Sequence, residues 1–396
     1  MILAIFHILW NIIQCIIGFN LVFPIILFIW YHVRNIFVQT KINPSITQAD
    51  YAIIVTAYEQ THTLPPVIDS ILQLQYTNYL IYIVADKCDV SNLHFNSSKV
   101  IVLRPEEVLA SNTRSHFYAI KNFKRNHERL TIIDSDNLVK PDYLLQLNHL
   151  FDAGFEAVQG ERKAKNLNTN YACLDAARDI YYHFYDGKLL FASGASATLA
   201  GSGMAFTVKL YKDCLERLDI TGAGFDKVLQ KQIVIQNKRI AFADKAIVYD
   251  EKTTRSDQLV KQRARWINTW FKYFKFGFVL LFKGITNFNW NQFLFGIVLL
   301  RPPLFIFLLL SLLFMAMNIF LMPLYAIYWL VAVALFILGF FIALLSSKTD
   351  KRIYHSLWNI PKFIFYQVLS LLKVRKANKV SVATQHYYDK KIDELK

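Results

Sequence analysis

Long runs of hydrophobic positions alternate with stretches in which hydrophobic and polar residues are mixed. Residues 1–33 and 304–345 contain no Asp, Glu, Lys or Arg, and about 20 apolar residues suffice to cross a bilayer as a helix. The first run predicts a membrane-spanning helix at residues 1–33, because it lacks the basic start and the small-residue cleavage site of a signal peptide. The second run is too long for one span, so we expect a helical hairpin at residues 304–346 that turns at 318–323.

The region between these two runs has the pattern of an α/β domain. Continuous apolar runs are typical of strands buried on both faces of a parallel sheet, and helical spacing of apolar residues separates them. This alternation predicts a doubly wound, mostly parallel sheet in a domain that covers residues 48–250. The four predicted strands are residues 51–56, 80–85, 100–103 and 130–133, and the two predicted helices are 64–74 and 113–123.

The second half of this domain has a weaker pattern. Its glycines predict a turn where backbone can approach a ligand closely, and one segment predicts an aromatic-rich helix. In chain order we expect a short strand at 157–162, a helix at 171–185, a glycine-rich turn and strand at 199–206, a helix at 222–234 and two short strands at 240–249.

The carboxyl-terminal part outside the hairpin predicts helices at the membrane surface. Residues 256–281 are amphipathic and rich in aromatic and basic residues, so we expect interfacial helices within 251–300. Residues 353–373 are apolar but interrupted by polar residues, and a span there would place the basic tail, 374–396, on the outer side. The tendency of basic residues to stay inside therefore favours an interfacial or re-entrant helix at 353–373 and a cytoplasmic tail.

Charge and composition indicate where in the cell the protein resides. The net charge is +15 and the hydrophobic content is 54%. No nucleic-acid-binding motif accompanies the basic residues, so a membrane surface is the simpler partner. Arg34 and Lys41 follow the first span, which predicts an outward-facing N-terminus and a cytoplasmic domain in a bacterial-type inner (plasma) membrane. The four cysteines show no paired spacing, as expected in a reducing compartment.

The strongest candidate chemistry lies at residues 130–144, LTIIDSDNLVKPDYL. Asp134 and Asp136 follow a buried strand, at the edge where open α/β sheets bind ligands. Two carboxylates this close repel each other unless a cation lies between them, and Mg²⁺ or Mn²⁺ commonly links a carboxylate to a substrate phosphate. The alternative is a solvated turn that caps the next helix. Glu59 and Asp86, at the ends of two other predicted strands, favour a shared site.

Further candidates follow along the chain, each with a plain structural alternative. Gly201, Ser202 and Gly203 could let a ligand approach the backbone, or simply bend a hairpin. Asp226 could be a catalytic carboxylate or a helix N-cap. The sequence QRARW places Gln262, Arg265 and Trp266 on the amphipathic helix, where they could bind a ligand or only anchor the helix at the membrane.

Taken together, these motifs resemble those of a known family. VTAYEQ, ADKCD, DSD, GFDK and QRARW occur in one order, before a membrane hairpin. The chain resembles membrane-bound family 2 glycosyltransferases of the GT-A fold, in particular the branch of cellulose, chitin, hyaluronan and poly-N-acetylglucosamine synthases. The resemblance covers about residues 49–266 well and the membrane part loosely. It implies a nucleotide-sugar donor and Mg²⁺ or Mn²⁺ as cofactor.

The resemblance also implies a role for each motif. Ala57, Tyr58 and Glu59 would line the nucleotide pocket, Asp86 would contact the base, Asp134 would face the sugar diphosphate and Asp136 would bind the metal. Gly201, Ser202, Gly203, Gln262 and Trp266 would bind the acceptor, Arg265 would neutralise the diphosphate and Asp226 would be the general base.

Two positions depart from the family's pattern. Phe225 precedes Asp226 where many relatives have Glu. Arg114 and Ser115 stand where many relatives have Gly-Lys, which makes Arg114 the candidate for the missing donor-binding charge.

The implied function is inverting transfer from a UDP-sugar, UDP-GlcNAc or UDP-glucose first, to a growing β-linked polysaccharide at the cytoplasmic face of the membrane. Single transfer to a membrane lipid carrier is an alternative. A non-catalytic membrane scaffold is an alternative of another class. Membrane lipids are expected partners, and a homo-oligomer or an export partner is left open.

Overall fold

The computed structural model describes residues 2–37, 48–377 and 391–394 of the chain. Lys41 and most of the predicted basic tail lie outside these residues. What is described of the tail consists of two short 3₁₀ turns, Val374–Lys376 and Ile392–Glu394.

Within the described residues, the strands form one mixed, mostly parallel sheet, as the sequence predicted. The order across the sheet is β3-β2-β1-β4-β7-β6-β8-β5. The neighbours among β1 to β4 pair in parallel, β7 is antiparallel to both β4 and β6, and β6 pairs in parallel with β8. The strands are β1 Tyr51–Tyr58, β2 Tyr79–Asp86, β3 Val100–Leu103, β4 Arg129–Asp134, β5 Leu138–Val139, β6 Ala157–Ala164, β7 Met204–Thr207 and β8 Ile240–Asp250.

Helices surround this sheet and then continue beyond it. They are α1 Ile2–Phe37, α2 Leu64–Leu72, α3 Asn112–Lys121, α4 Tyr143–Asp152, α5 Asn170–Tyr182, α6 Leu190–Ala192, α7 Val208–Leu215, α8 Phe225–Ile235, α9 Ser256–Tyr273, α10 Lys275–Thr286, α11 Trp290–Leu300, α12 Leu304–Leu321, α13 Pro323–Ser346, α14 Lys351–Ser356 and α15 Ile360–Leu372. A π-helical segment, His183–Leu189, joins α5 to α6.

The central strands are buried on both faces, which explains why they read as continuous apolar runs. In β1, Ile53 and Val55 belong to the core under α2 and α4, whereas Ala52 and Ile54 belong to the core under α3, α7 and α8. Alternate residues of a strand point to opposite faces, so each strand has to be apolar throughout. This layering leaves the carboxyl ends of the strands as the place for polar chemistry.

Three details of the prediction are wrong. Residues 240–249 form part of one strand, β8, whose pairing with β6 shifts between Gly160 and Glu161. The amphipathic helix predicted at 256–281 is broken at Phe274 into α9 and α10. The aromatic helix predicted to end at residue 185 continues through the π-helical segment. A local pattern marks where apolar residues fall, but bulges and breaks depend on what packs against them.

Three helices are long and apolar enough to cross a membrane, among the residues described: His7–Arg34 within α1, α12 and α13. Helices α12 and α13 are separated only by Met322, within the predicted turn. A buried polar contact links them to α1, because Asn318 Nδ2 and Trp329 Nε1 both donate to Gln14 Oε1, at 2.5 and 2.7 Å. Hydrogen bonds of this kind hold helices together in an apolar setting.

The apolar segment predicted at 353–373 packs on the amphipathic helix. Phe363 of α15 belongs to the same buried cluster as Leu259 of α9, and Val374 belongs to one with Ile267 of α9 and Phe305 of α12. Helix α15 therefore lies against α9, beside the start of α12.

Candidate active site

The carboxyl ends of β1, β2 and β4 lie side by side at one edge of the sheet. Thr56 of β1 pairs with Asp134 of β4, and Tyr58 of β1 pairs with Asp86 of β2. Because these strands are parallel, the residues that follow them meet at the edge where open α/β sheets bind ligands.

A cavity of about 1040 Å³ opens at this edge and gathers most of the predicted site. Among the predicted residues, those that line it are Tyr58, Asp134, Asp136, Gly201, Asp226, Gln262, Arg265 and Trp266. Those that do not line it are Ala57, Glu59, Asp86, Arg114, Ser202 and Gly203.

The glycine-rich turn supports the turn that carries the two aspartates. Ser202 is fully buried, and its Oγ accepts a hydrogen bond from the Asp134 N–H at 3.0 Å. Gly203 donates its N–H to the carbonyl oxygen of Ile132 at 2.9 Å. Gly201, at a φ of +89°, is the member of this turn that faces the cavity, and a Cβ there would meet no atom within 4 Å.

Asp136 is held from two sides. Lys165 donates from Nζ to the Asp136 carbonyl oxygen at 3.2 Å. With its side-chain nitrogen turned toward Asp136, Asn137 donates to both carboxylate oxygens, at 3.2 and 3.1 Å. Each carboxylate oxygen has further lone pairs, so these contacts orient the group without exhausting its capacity to bind a cation.

The acidic pair fits a metal site that a substrate completes. Among the described residues there is no group of three or more His, Cys, Asp or Glu side chains that could hold a metal ion. Mg²⁺ and related ions, however, are usually bound by one or two carboxylates together with substrate phosphates. Asp134 and Asp136, which both line the cavity, fit that arrangement.

Asp226 lines the same cavity and lies in the first turn of α8. Gly224 begins the helix at a φ of +104°, a left-handed conformation that favours glycine. The Asp226 side chain is 18% exposed, and Lys227 Nζ lies 3.4 Å from its Oδ2. Both Lys227 and the positive end of the helix favour a negative charge at this position. Phe225, which stands where many relatives have Glu, is buried in the core.

The cavity does not include Asp86, although that residue lies at the same edge of the sheet. Asp86 is 2% exposed, and its carboxylate accepts hydrogen bonds from the backbone N–H groups of Leu109 and Ala110, at 3.0 and 2.8 Å. Asp86 therefore holds the loop after β3 against β2. Ala57 is buried beside it in β1.

Glu59 and Arg114 are both paired at the surface. Glu59 has a φ of +61° and forms a 2.7 Å ion pair with Lys87. Arg114 makes a two-pronged contact with Asp219, from Nε at 2.9 Å and from Nη2 at 2.6 Å. The Arg114 charge predicted for the donor is thus directed toward a neighbouring carboxylate.

The QRARW sequence brings three side chains of α9 to the cavity. Gln262 accepts a hydrogen bond from Thr253 Oγ1 at 3.1 Å. Burial lowers the pKa of Arg265 from its ordinary value. Gln262, Arg265 and Trp266 lie on one side of α9, as residues three and four apart do.

The indole ring of Trp266 is covered by two cations. The guanidinium carbon of Arg263 lies 4.1 Å from the ring centroid, and that of Arg178 lies 4.3 Å from it. Both distances are within the range of a cation–π contact. Trp266 also lines the cavity, so its contact with an acceptor sugar stays a prediction.

A buried network of charges beneath Trp266 was not predicted from the sequence. It joins β6, α5, the end of β8 and α9, and its cations and anions pair within the wall of the cavity. Its members are Arg162, Asp175, Arg178, Asp179, Asp250, Lys252 and Arg263. The sequence did contain a sign of this network, because Asp175, Arg178 and Asp179 lie three and four residues apart on α5, which is otherwise rich in apolar and aromatic residues.

The network is electrostatically paired. Burial alone would raise the pKa of Asp179, but Lys252, Arg178 and Arg162 hold it well below its usual range. Burial, reinforced by the neighbouring Arg178, lowers the pKa of Arg263 to about 10, although Asp175 opposes this. Breaking one such pair would leave an uncompensated charge in the wall of the site.

The sequence and the fold were compared with those of known proteins. A family model described as Glycosyltransferase like family 2 matches residues 48–269. The structure is similar to that of the mannosyltransferase PcManGT from Pyrobaculum calidifontis in complex with GDP-Man and Mn²⁺, with a TM-score of 0.54 and 16% identity over 92% of this chain and 99% of that chain. At this identity the likeness indicates the fold alone.

TarS from S. aureus in complex with UDP-GlcNAc also matches, with 13% identity over 83% of this chain and 90% of that chain. Its TM-score of 0.41 is too low to support a conclusion. No curated protein matches the sequence.

Proposed function

Because the chain belongs to the glycosyltransferase-like family 2, we propose that it transfers a sugar from a nucleotide diphosphate sugar to an acceptor hydroxyl, with Asp226 as the general base. One observation carries this proposal. A single cavity brings the acidic pair Asp134 and Asp136 together with Asp226 and with Arg265 of α9. In this proposal the donor diphosphate binds beside the pair and the acceptor hydroxyl beside Asp226.

The chemistry is a single displacement. Asp226 takes the proton of the acceptor hydroxyl as its oxygen bonds to the anomeric carbon. The bond from that carbon to the donor's diphosphate oxygen breaks, and the nucleoside diphosphate leaves with the electron pair. One displacement inverts the configuration, so an α-linked donor yields a β-linked product. Arg265 is placed to oppose the charge that develops on the leaving diphosphate.

Replacement of Asp226 tests the proposal. In Asp226→Asn the carboxylate is lost but the shape is kept, so transfer should fall by about 10²–10⁴-fold, while binding of the nucleotide sugar persists. Transfer of label from nucleotide sugars and calorimetric binding measure the two quantities. Asp69→Asn, an exposed position on α2 away from the cavity, is the matched control. Unchanged turnover in Asp226→Asn would remove Asp226 from the mechanism.

We further propose that Asp136, with Asp134, holds Mg²⁺ or Mn²⁺. Such an ion, bound with the donor, would neutralise charge on the leaving diphosphate. The support is the fit of the two carboxylates to a site completed by phosphates, and the Mn²⁺ in the complex of PcManGT.

Removal of the metal and of its ligand tests this site. A chelator should lower transfer by at least about 100-fold, with recovery on adding Mn²⁺. Asp136→Ala should abolish that recovery and weaken Mn²⁺ binding, which electron paramagnetic resonance measures in the presence of nucleoside diphosphate. Full activity in chelator, or undiminished Mn²⁺ binding by Asp136→Ala, would contradict a metal site there.

The donor we propose is UDP-GlcNAc or UDP-glucose, on the resemblance of the motifs to those of polysaccharide synthases. The PcManGT complex holds GDP-Man, so a screen of labelled donors should include both UDP- and GDP-sugars. The acceptor on the same resemblance is a growing β-linked polysaccharide. The alternative acceptor is a membrane lipid, and the apolar side chains that α12 and α13 contribute to the cavity wall support it. A non-catalytic scaffold has less support, because Asp136 and Asp226 are both present at the cavity.

A further inference from the structure

The cavity does not end at the edge of the sheet but continues between the helices of the membrane hairpin. Its wall includes Leu304 and Leu312 of α12 and Val333 and Phe341 of α13. At a rise of about 1.5 Å per residue, these positions extend about 12 Å along α12 from its start. On α13 the lining positions reach back to Val333, about 20 Å from the end of that helix at the same rise per residue. The same cavity is thus lined by the proposed catalytic carboxylates and by the apolar side chains of both helices.

The far part of the cavity suits hydrocarbon and not saccharide. Of the side chains that α12 and α13, both wholly described, place along its wall, only Ser311 is polar, and its Oγ already donates to the Leu308 carbonyl oxygen at 2.9 Å. A sugar chain there would leave its hydroxyls without partners, each at a cost in free energy. A hydrocarbon chain has no polar groups to leave unpaired there, and one taken from water would gain about 0.8 kcal/mol per buried methylene.

At the end of the cavity that holds Asp226, the proposed base indicates which group of the acceptor attacks the donor. A phosphate oxygen is already ionised near neutral pH and needs no base to attack. Asp226 as a base is useful only if the attacking group is a neutral hydroxyl. An occupant that satisfies both ends has a hydrocarbon chain at one end and a hydroxyl at the other.

We propose that the acceptor is a membrane lipid with a hydroxyl-bearing head. Its hydrocarbon chain lies between α12 and α13, and its hydroxyl reaches Asp226. The proton of that hydroxyl passes to Asp226, its oxygen bonds to the anomeric carbon of the donor, and the nucleoside diphosphate leaves. This inference rests on the proposed function, since it takes Asp226 as the general base.

The test measures transfer to alkyl glucosides of increasing chain length by the full chain in lipid nanodiscs. These probes share one hydroxyl-bearing head and differ only in hydrocarbon. Each methylene that enters the cavity should raise kcat/KM by up to about fourfold, the equivalent of about 0.8 kcal/mol. From a two-carbon to an eight-carbon chain we expect a rise of at least about tenfold.

A matched pair of variants locates the effect in the cavity. Val333 lines the cavity, whereas Val331 on the same helix is 51% exposed and does not line it. Val333→Trp should fill the space and abolish the dependence on chain length, and Val331→Trp should leave that dependence as in the wild type. Calorimetric binding of the nucleotide sugar reports whether each variant keeps a folded catalytic domain.

Three results would overturn the inference. They are equal kcat/KM for all chain lengths, transfer to soluble oligosaccharides in preference to every alkyl glucoside, and transfer to a polyprenyl phosphate that persists in Asp226→Asn. The first two leave the proposed glycosyl transfer standing, because sugar is still moved. Absence of transfer from any UDP- or GDP-sugar to any of these acceptors would instead overturn the proposed function itself.

Discussion

At the scale of single residues, Trp266 both lines the cavity and contacts two cations. The resemblance implied that its ring stacks on an acceptor sugar. In the structure the ring is contacted by Arg178 and Arg263, at 4.3 and 4.1 Å, and Arg263 is in turn paired with the buried Asp175. Trp266 therefore connects α9 to the charge network in the wall of the cavity.

Replacement of this ring separates the two roles. Trp266→Ala should lower the free energy of unfolding by about 2–3 kcal/mol, since a half-buried aromatic side chain and two cation–π contacts are lost. It should lower kcat more than it raises the KM for acceptor. Trp266→Phe keeps an aromatic face and should recover most of both losses. Thermal unfolding and steady-state kinetics measure these effects. A pure increase in acceptor KM with unchanged stability would instead support sugar stacking.

The other predicted site residues fall into two groups, those that line the cavity and those that pair with other parts of the protein. Asp134, Asp136 and Asp226 were predicted from short motifs, and the structure places all three at one cavity. Asp86 and Arg114 were assigned donor contacts by the same reasoning. The structure pairs Asp86 with the backbone of the loop after β3, and Arg114 with Asp219, 105 positions away.

At the scale of elements, the approach of α9 to the start of α8 positions Asp226. Gly224 precedes α8, and a Cβ on it would lie 2.6 Å from side-chain atoms of both Thr269 and Tyr273 of α9. The helix with the proposed base can thus contact the helix with QRARW only because this position has no side chain. The sequence motif GFDK marked the region but not this contact.

A methyl group at this position should separate the two helices. Gly224→Ala should cost about 1–2 kcal/mol for the left-handed backbone and about 1–3 kcal/mol for the clash. It should also lower kcat by up to about 100-fold, because a small displacement of the base is costly. Gly154→Ala is the control, since Gly154 has a φ of +92° but open space around it. It should lose stability for the backbone alone and keep full activity. Equal effects in both variants would show that the contact with α9 is unimportant.

At the scale of the whole molecule, three helices among the described residues are long and apolar enough to cross a membrane. Helix α1 precedes the domain, and α12 and α13 follow it as a hairpin, so the chain would cross three times. Arg34 lies at the end of α1 nearer the domain, and basic residues favour the cytoplasmic side. We propose that the domain and the C-terminal helices are cytoplasmic and that the N-terminus is outside.

Tags at the two ends of the chain test this topology. In intact cells, a protease added outside should remove an N-terminal tag and leave a C-terminal tag untouched. After permeabilisation both tags should be cleaved, which serves as the control. Removal of the C-terminal tag in intact cells, or protection of both tags, would contradict the proposed arrangement.

The sequence by itself determined the mixed α/β sheet, the apolar spans and the residues of the acidic pair. These features follow from the period and length of apolar runs and from motifs a few residues long, which are local properties of the chain. The tertiary structure alone decided which of those residues share a cavity, that Trp266 packs on two guanidinium groups, and that the cavity continues between α12 and α13. Those outcomes depend on contacts between residues far apart in the chain, whose partners no local spacing specifies.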